Sequence, residues 1–113
     1  MGADLYLVKL NAEKTYSNNT GYYRDSYNSY NLLWLLGLDY WVWFTSFLSK
    51  GGILKPDKAK KILETLTEKK NTLDRLTGFM KEEHSKWFND KYKELTEFLS
   101  KAIELKSDIE CSL

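Results

Sequence analysis

The sequence has one cysteine, one proline and one histidine in 113 residues. A single thiol, Cys111, cannot form an internal disulfide. The N-terminus also lacks the basic segment followed by an apolar run that a secretory signal requires. These absences predict a protein of the reducing cytoplasm.

No apolar run in the sequence is long enough to cross a membrane. A transmembrane helix needs about 20 successive apolar residues. The longest candidate run, residues 31–48, is interrupted by glycine or polar residues at Gly37, Asp39, Thr45 and Ser46. We therefore expect no membrane-spanning segment.

The charge is nearly balanced, with 17 basic and 16 acidic residues and a formal net charge of +1. Proteins that bind nucleic acid or anionic membranes through their overall field usually carry an excess of positive charge. Neither half of this chain is a basic arm. The sequence therefore does not predict a nucleic-acid partner.

The side chains needed by the common kinds of active site are too few. His84 is the only histidine, it does not belong to an HExxH pattern, and no second histidine completes a zinc site. Gly51 and Gly52 are not part of a phosphate-binding loop. Cys111 has no recognisable histidine partner, so we expect a core or edge residue rather than a nucleophile. The sequence predicts a non-enzymatic protein with no metal and no cofactor.

The residues that are present predict one packed domain over residues 1–113. With 42% hydrophobic and 15% aromatic residues, a chain of this length can form one core but not two. The predicted fold is mainly α with a minor β element. Its segments are a strand at 1–10, an aromatic and polar loop at 11–28, an apolar kinked helix pair at 29–50, an antiparallel helical hairpin at 55–106 and an extended tail at 109–113.

The strand and the loop follow from composition. Residues 4–10, DLYLVKL, mix aromatic, branched and leucine side chains as a strand does. An isolated strand would leave its backbone groups unpaired, so we predict that the tail, residues 109–113, pairs with it. Residues 11–28 are rich in Asn, Ser, Thr, Gly and Tyr, which favour irregular backbone.

The helices are predicted from their end signals. Asn28 or Ser29 can cap the first helix, which Gly37 ends, and Asp39 can cap a second. Residues 40–50 are apolar on nearly every side, which predicts a buried central helix. The alternative is an exposed apolar patch for a partner. Pro56 suits the first turn of the next helix.

The strongest functional signal is the segment GYYRDSYNSYNLLW, residues 21–34, which holds five aromatic residues in 14 positions. Tyrosine offers a stiff ring with a polar rim, and arginine a planar cation, which is the chemistry of binding hot spots. The alternative is structural: the rings cover the open side of a small core while Arg24 and Asp25 brace the loop by an ion pair. The candidate binding residues are Tyr22, Tyr23, Arg24, Asp25, Tyr27 and Asn28.

Several blocks of the sequence resemble a family of small proteins from phages, prophages and bacteria. The blocks are MGADLYL, GYYRDSYNSYNLLWLLGLDYW, GGILKPDKAKKILETL, ELTEFLSKAIEL and the terminal IECSL. The RDSYN and LLW stretch is the most specific part of the resemblance. The resemblance implies no activity and no functional residues, but it suggests a protein of a mobile element that acts inside the cell by binding a host protein.

We therefore predict a non-enzymatic binding protein whose aromatic segment contacts another protein. The alternative is a small-molecule site in which Arg24 holds an anionic or nucleotide-like ligand and tyrosines stack on its ring. An enzyme that uses Arg24, Asp25 and His84 together is a more distant hypothesis. Homo-oligomerisation is left open.

Overall fold

The computed structural model describes residues 2–9, 21–26 and 30–113. These residues form an α+β fold in which helices cover one face of an antiparallel sheet. The strands and α-helices in chain order are β1 (Gly2–Leu7), β2 (Tyr22–Ser26), α1 (Leu32–Leu35), β3 (Ile53–Leu54), α2 (Pro56–Glu68), α3 (Lys70–Thr77), α4 (Glu82–Leu105) and β4 (Ile109–Ser112).

The sheet has four antiparallel strands in the order β2-β1-β4-β3. In the pairing of β1 with β4, Asp4 lies opposite Ser112 and Leu7 lies opposite Ile109. The predicted pairing of the tail with the first strand is therefore confirmed.

The predicted fold class, mainly α with a minor β element, is wrong. The described residues are 58% helix and 18% strand, and the strands form one four-stranded sheet. The error has two sources: β2 lies inside the segment 11–28 that we predicted as a loop, and β3 has only two residues. In both cases the strand is defined by pairing with a distant part of the chain, which composition does not show.

The predicted helical hairpin at 55–106 is also wrong. The chain forms α2 and α3, which are separated at Lys69, and then one 24-residue helix, α4, which β4 follows. Lys69 and the next residue, Lys70, place two charged side chains in succession at the point where α2 ends and α3 begins. Since α4 packs against α1, α2, α3 and β2, it serves the whole domain and is not one arm of a two-helix unit.

The segment predicted as an apolar helix pair at 29–50 is shorter and less regular than expected. The side chain of Asn31 caps α1 by accepting a hydrogen bond from the Trp34 amide, whereas the predicted caps, Asn28 and Ser29, lie outside the described residues. Gly37 follows with a φ of 77°, which glycine adopts without strain. Asp39 then caps a π-helical turn, Tyr40–Phe44, as its position predicts, and a 3₁₀ turn, Thr45–Phe47, follows.

The buried central helix expected at 40–50 is not present. Tyr40 and Phe44 are buried in the core, but Trp41 is 71% exposed. One side of the π-helical turn is therefore buried and the other is exposed. The exposed side carries an apolar surface, which was the alternative to a buried helix.

The core lies between the inner face of the sheet and the helices. Ala3, Leu5 and Leu7 of β1 are fully buried, in the period of two expected for a strand with one face covered. The fully buried residues of the four α-helices in the same core cluster are Leu32, Leu33, Ala59, Ile62, Leu66, Leu73, Leu95, Leu99 and Ala102. Pro56 begins α2 as predicted. No helix among the described residues is both long and apolar enough to cross a lipid bilayer.

Candidate functional site

Strand β2 carries four of the six predicted binding residues and separates them onto two faces. Tyr23 and Asp25 point into the core and are buried, whereas Tyr22 is half-buried and the Arg24 side chain is 56% exposed. The other two, Tyr27 and Asn28, lie outside the described residues. Of the four, only Tyr22 and Arg24 have surface that another molecule can contact.

Asp25 is a buried hydrogen-bond acceptor. Its Oδ2 accepts from the Tyr40 hydroxyl at 2.6 Å and from the Leu32 amide at 3.1 Å, and its Oδ1 accepts from the Ser26 amide at 2.7 Å. Desolvation by burial raises the pKa of Asp25, although these hydrogen bonds oppose the rise. Asp25 thus joins β2 to the start of α1 and to the π-helical turn, a structural task.

Tyr23 packs beneath the strand. Its ring centroid lies 6.2 Å from that of Phe98 and 5.5 Å from Lys91 Nζ. Its hydroxyl is buried and has no hydrogen-bond partner among the described residues, and burial raises the pKa of this tyrosine. Tyr23 therefore fits the structural alternative, in which rings of this segment complete a small core.

The outer face of β2 pairs its polar groups with β1. The Tyr22 hydroxyl donates a hydrogen bond to Asp4 Oδ1, and Arg24 Nε lies 3.7 Å from the same oxygen. Burial and the Asp4 carboxylate raise the pKa of Tyr22 to about 12. The proposed ion pair between Arg24 and Asp25 is not formed, because neighbouring strand residues point to opposite faces; Asp4, across the ladder, is the ion-pair partner of Arg24.

An apolar cleft of about 490 Å³ opens beside β2, between α1 and the first turns of α4. We call it the aromatic cleft. Tyr30 is 70% exposed, Trp34 47% and Trp87 39%. Two edge-to-face ring pairs shape it: Tyr30 with Trp34 at 4.8 Å, and Trp87 with Phe88 at 5.0 Å between centroids. The lining residues are Ser26, Tyr30, Trp34, Met80, His84, Trp87 and Phe88.

A second depression, of about 360 Å³, continues from the aromatic cleft and shares Ser26 and Trp87 with it. Lys91 Nζ donates a hydrogen bond to the Arg24 carbonyl oxygen and lies 5.8 Å from the centroid of Trp87. Because Asp25 is buried, the charged groups that solvent reaches in this depression are those of Arg24 and Lys91. We call it the basic depression; its remaining lining residue is Gly2.

No protein-family model matches this chain. No curated protein and no solved structure matches it either. The resemblance to small phage and bacterial proteins therefore stays a prediction. The geometry of the aromatic cleft and of the basic depression is the basis for the proposed function.

The described part of the chain holds no group of three or more His, Cys, Asp or Glu side chains that could bind a metal. Burial raises the pKa of the Cys111 thiol to about 12, so this thiol stays protonated at neutral pH. His84 is exposed and lines the aromatic cleft together with tryptophan and tyrosine.

The aromatic cleft was not among the sites predicted from the sequence. Tyr30 and Trp34 are four residues apart on one side, and Trp87 and Phe88 come from a distant helix. The first pair lay within the aromatic segment, but nothing in the sequence shows that α4 faces it. Two large aromatic residues four positions apart, Tyr30 and Trp34, were the available signal.

Proposed function

We propose that this protein is a non-enzymatic binding module that receives an apolar side chain of another protein in the aromatic cleft. The observation that supports the proposal is the exposure of three large rings, Tyr30, Trp34 and Trp87, around one apolar cavity. Exposed apolar patches commonly mark interaction sites, and tryptophan and tyrosine are the residues most enriched in binding hot spots.

The backbone at Tyr30 supports the same proposal. Tyr30 has a φ of 74°, in the left-handed region that a bulky residue rarely adopts. Such a conformation costs on the order of 1–3 kcal/mol and often occurs at binding sites. Here it precedes the Asn31 cap, and the Tyr30 ring stands against Trp34 at the mouth of the cleft.

The proposal moves the contact surface away from most of the residues predicted from the sequence. Arg24 stays in it, because its side chain borders the basic depression. Tyr23 and Asp25 act beneath the surface by holding β2 and α1 in place. We propose a host protein as the partner, and a cytoplasmic site of action, because the resemblance to small phage and bacterial proteins suggests both.

The first test compares two exposed tryptophans. Trp34→Ala removes a ring from the cleft, whereas Trp41→Ala removes an equally large ring from the π-helical turn outside it. A partner is captured from host lysate with the wild-type protein and identified by mass spectrometry, and its Kd for each purified variant is then measured by biolayer interferometry. We expect Trp34→Ala to raise the Kd about tenfold or more, since a hot-spot ring contributes at least 1–2 kcal/mol.

Trp41→Ala is the matched control and should leave the Kd within about twofold, because surface changes outside a contact are usually near neutral. The melting temperature of both variants is recorded to show that the fold is intact. Equal Kd values for wild type and Trp34→Ala would remove the aromatic cleft from the interface.

A small apolar ligand is the second candidate occupant. The volume of about 490 Å³ falls within the range of small-molecule pockets. The anionic ligand first expected beside Tyr22 and Arg24 is less favoured, because in the cavity there Glu94 and Glu97 offset most of the positive charge of Arg24, Lys91 and Lys101. In a thermal-shift screen, a ligand of the cleft should raise the melting temperature of the wild type and not that of Trp34→Ala. A screen with no such shift counts against this candidate.

A further inference from the structure

The basic depression lies directly beside the aromatic cleft, so an occupant of one is within reach of the other. Ser26 and Trp87 line both. An extended peptide advances about 3.3–3.6 Å per residue. A residue one or two positions from an apolar side chain seated in the cleft can therefore place its own side chain in the depression.

The Arg24 guanidinium has more hydrogen-bond donors than its contact with Asp4 occupies. Its Nε lies 3.7 Å from Asp4 Oδ1, and the Tyr22 hydroxyl is a second neighbour of the guanidinium. A guanidinium carries five N–H donors in a planar fork that matches a carboxylate. With 56% of the side chain exposed, this fork is accessible from the depression.

The position of the guanidinium depends on Gly2. Arg24 lies over this residue so closely that a Cβ at position 2 would overlap its Nε and displace the side chain. Gly2 therefore provides the space in which the guanidinium lies against β1.

Lys91 supplies a second cation at a fixed position. Its ammonium group is held by the Arg24 carbonyl oxygen and lies 3.6 Å from Glu94 Oε2. Lys91 also interacts electrostatically with Asp25, but this carboxylate is buried and already accepts three hydrogen bonds. The charged groups exposed in the basic depression are therefore the cations of Arg24 and Lys91, and the Glu94 carboxylate lies at its side.

We infer that the segment bound in the aromatic cleft carries a carboxylate one or two residues from its apolar anchor, and that Arg24 and Lys91 bind this carboxylate. The inference depends on the proposed function. Charge complementarity is its basis: the accessible charges in the depression are basic, and the donors of Arg24 form the geometry that binds a carboxylate in two hydrogen bonds. The carboxylate belongs to an aspartate or glutamate side chain or to a chain terminus.

The probe is a displayed library of random twelve-residue peptides with free C-termini. The library is selected on the wild-type protein and counter-selected on Trp34→Ala, so that only peptides that need the cleft remain. We expect the enriched peptides to share an apolar residue within two positions of an aspartate, a glutamate or the C-terminal carboxylate. Synthetic versions with the acid changed to its amide, or with an amidated C-terminus, identify which carboxylate is bound.

The measurement is the Kd of an enriched peptide for three variants. Arg24→Gln should raise the Kd about tenfold, as the loss of a charged hydrogen-bonded partner does. Combining this change with the amide form of the peptide should cause little further loss, since both remove the same contact. Arg75→Gln, an exposed arginine of α3, is the control and should leave the Kd unchanged. Gly2→Ala keeps the charge of Arg24 but displaces it, so it should weaken binding as well.

The outcomes separate the two proposals. Peptides that need Trp34 but show no enrichment of acids, or whose Kd is the same for Arg24→Gln, would overturn the carboxylate inference and leave the cleft as a protein-binding site. If no enriched peptide depends on Trp34, the proposed function itself fails.

Discussion

Asp25→Ala should lower the free energy of unfolding by about 3 kcal/mol, because it leaves two buried donors and one partly buried donor without an acceptor, and each buried loss costs about 1–3 kcal/mol. The donors are the Tyr40 hydroxyl and the amides of Leu32 and Ser26. Removing a desolvated carboxylate returns part of this cost, which keeps the expected total below the simple sum. The measurement is chemical denaturation of wild type and variant at neutral pH.

Two comparisons distinguish this cause from a general effect of losing an acid. Asp57→Ala, in the exposed first turn of α2, should cost less than about 1 kcal/mol.

The folded-state pKa of Asp25 is raised, so the folded protein takes up a proton there at a higher pH than the unfolded chain does. The stability that Asp25 contributes should therefore be greatest at low pH and decrease as pH rises through this pKa, and the difference between wild type and Asp25→Ala should follow it. A difference that grows as pH rises would contradict this assignment.

Phe44→Ala should lower the free energy of unfolding by about 3–5 kcal/mol, the cost of replacing a buried phenylalanine by alanine. Phe44 is fully buried at the end of the π-helical turn, and its ring centroid lies 5.5 Å from that of Tyr40. The alanine variant would leave a cavity in the core and remove a contact of the tyrosine that holds Asp25. Thermal and urea unfolding measure the loss.

Trp41, three residues earlier in the same turn, is the control for Phe44. Because Trp41 is mostly exposed, Trp41→Ala should change the free energy of unfolding by less than about 1 kcal/mol. If both variants are destabilised equally, the turn is buried on both sides, as the sequence first suggested, and the two-sided arrangement is incorrect.

The features that sequence predicted correctly are those fixed by a few neighbouring residues. The cap at Asp39, the helix start at Pro56 and the helix end at Gly37 each depend on local backbone geometry. The tail pairing was also predicted, from the need of a lone strand for a partner.

The strand β2 shows why the fold class was missed. Its residues alternate between buried Tyr23 and Asp25 and outward Tyr22 and Arg24, but the turn-forming neighbours of this short run outweighed the alternation. The same alternation divides the predicted binding residues into a structural pair and a surface pair. A period of two becomes a usable signal only when the pairing strand is known.

The aromatic cleft could not be predicted from the sequence, because its walls are separated along the chain. Trp34 lies in α1 and Trp87 in α4, and only the packing of α4 across the domain brings them to one surface. The aromatic segment predicted as the binding region, residues 21–34, includes Tyr30 and Trp34 of the cleft. The individual binding residues, however, were predicted earlier in that segment, at positions 22–28.

The sheet order has a consequence for synthesis. Since β4 lies between β1 and β3, a growing chain can pair β1 with β2 early, but β3 joins the sheet only after residues 109–112 have been made. Until then the core-facing side chains of β1, β2 and the helices α2, α3 and α4 have no complete sheet to pack against. The four-stranded sheet can therefore be completed only after the last strand has been synthesised.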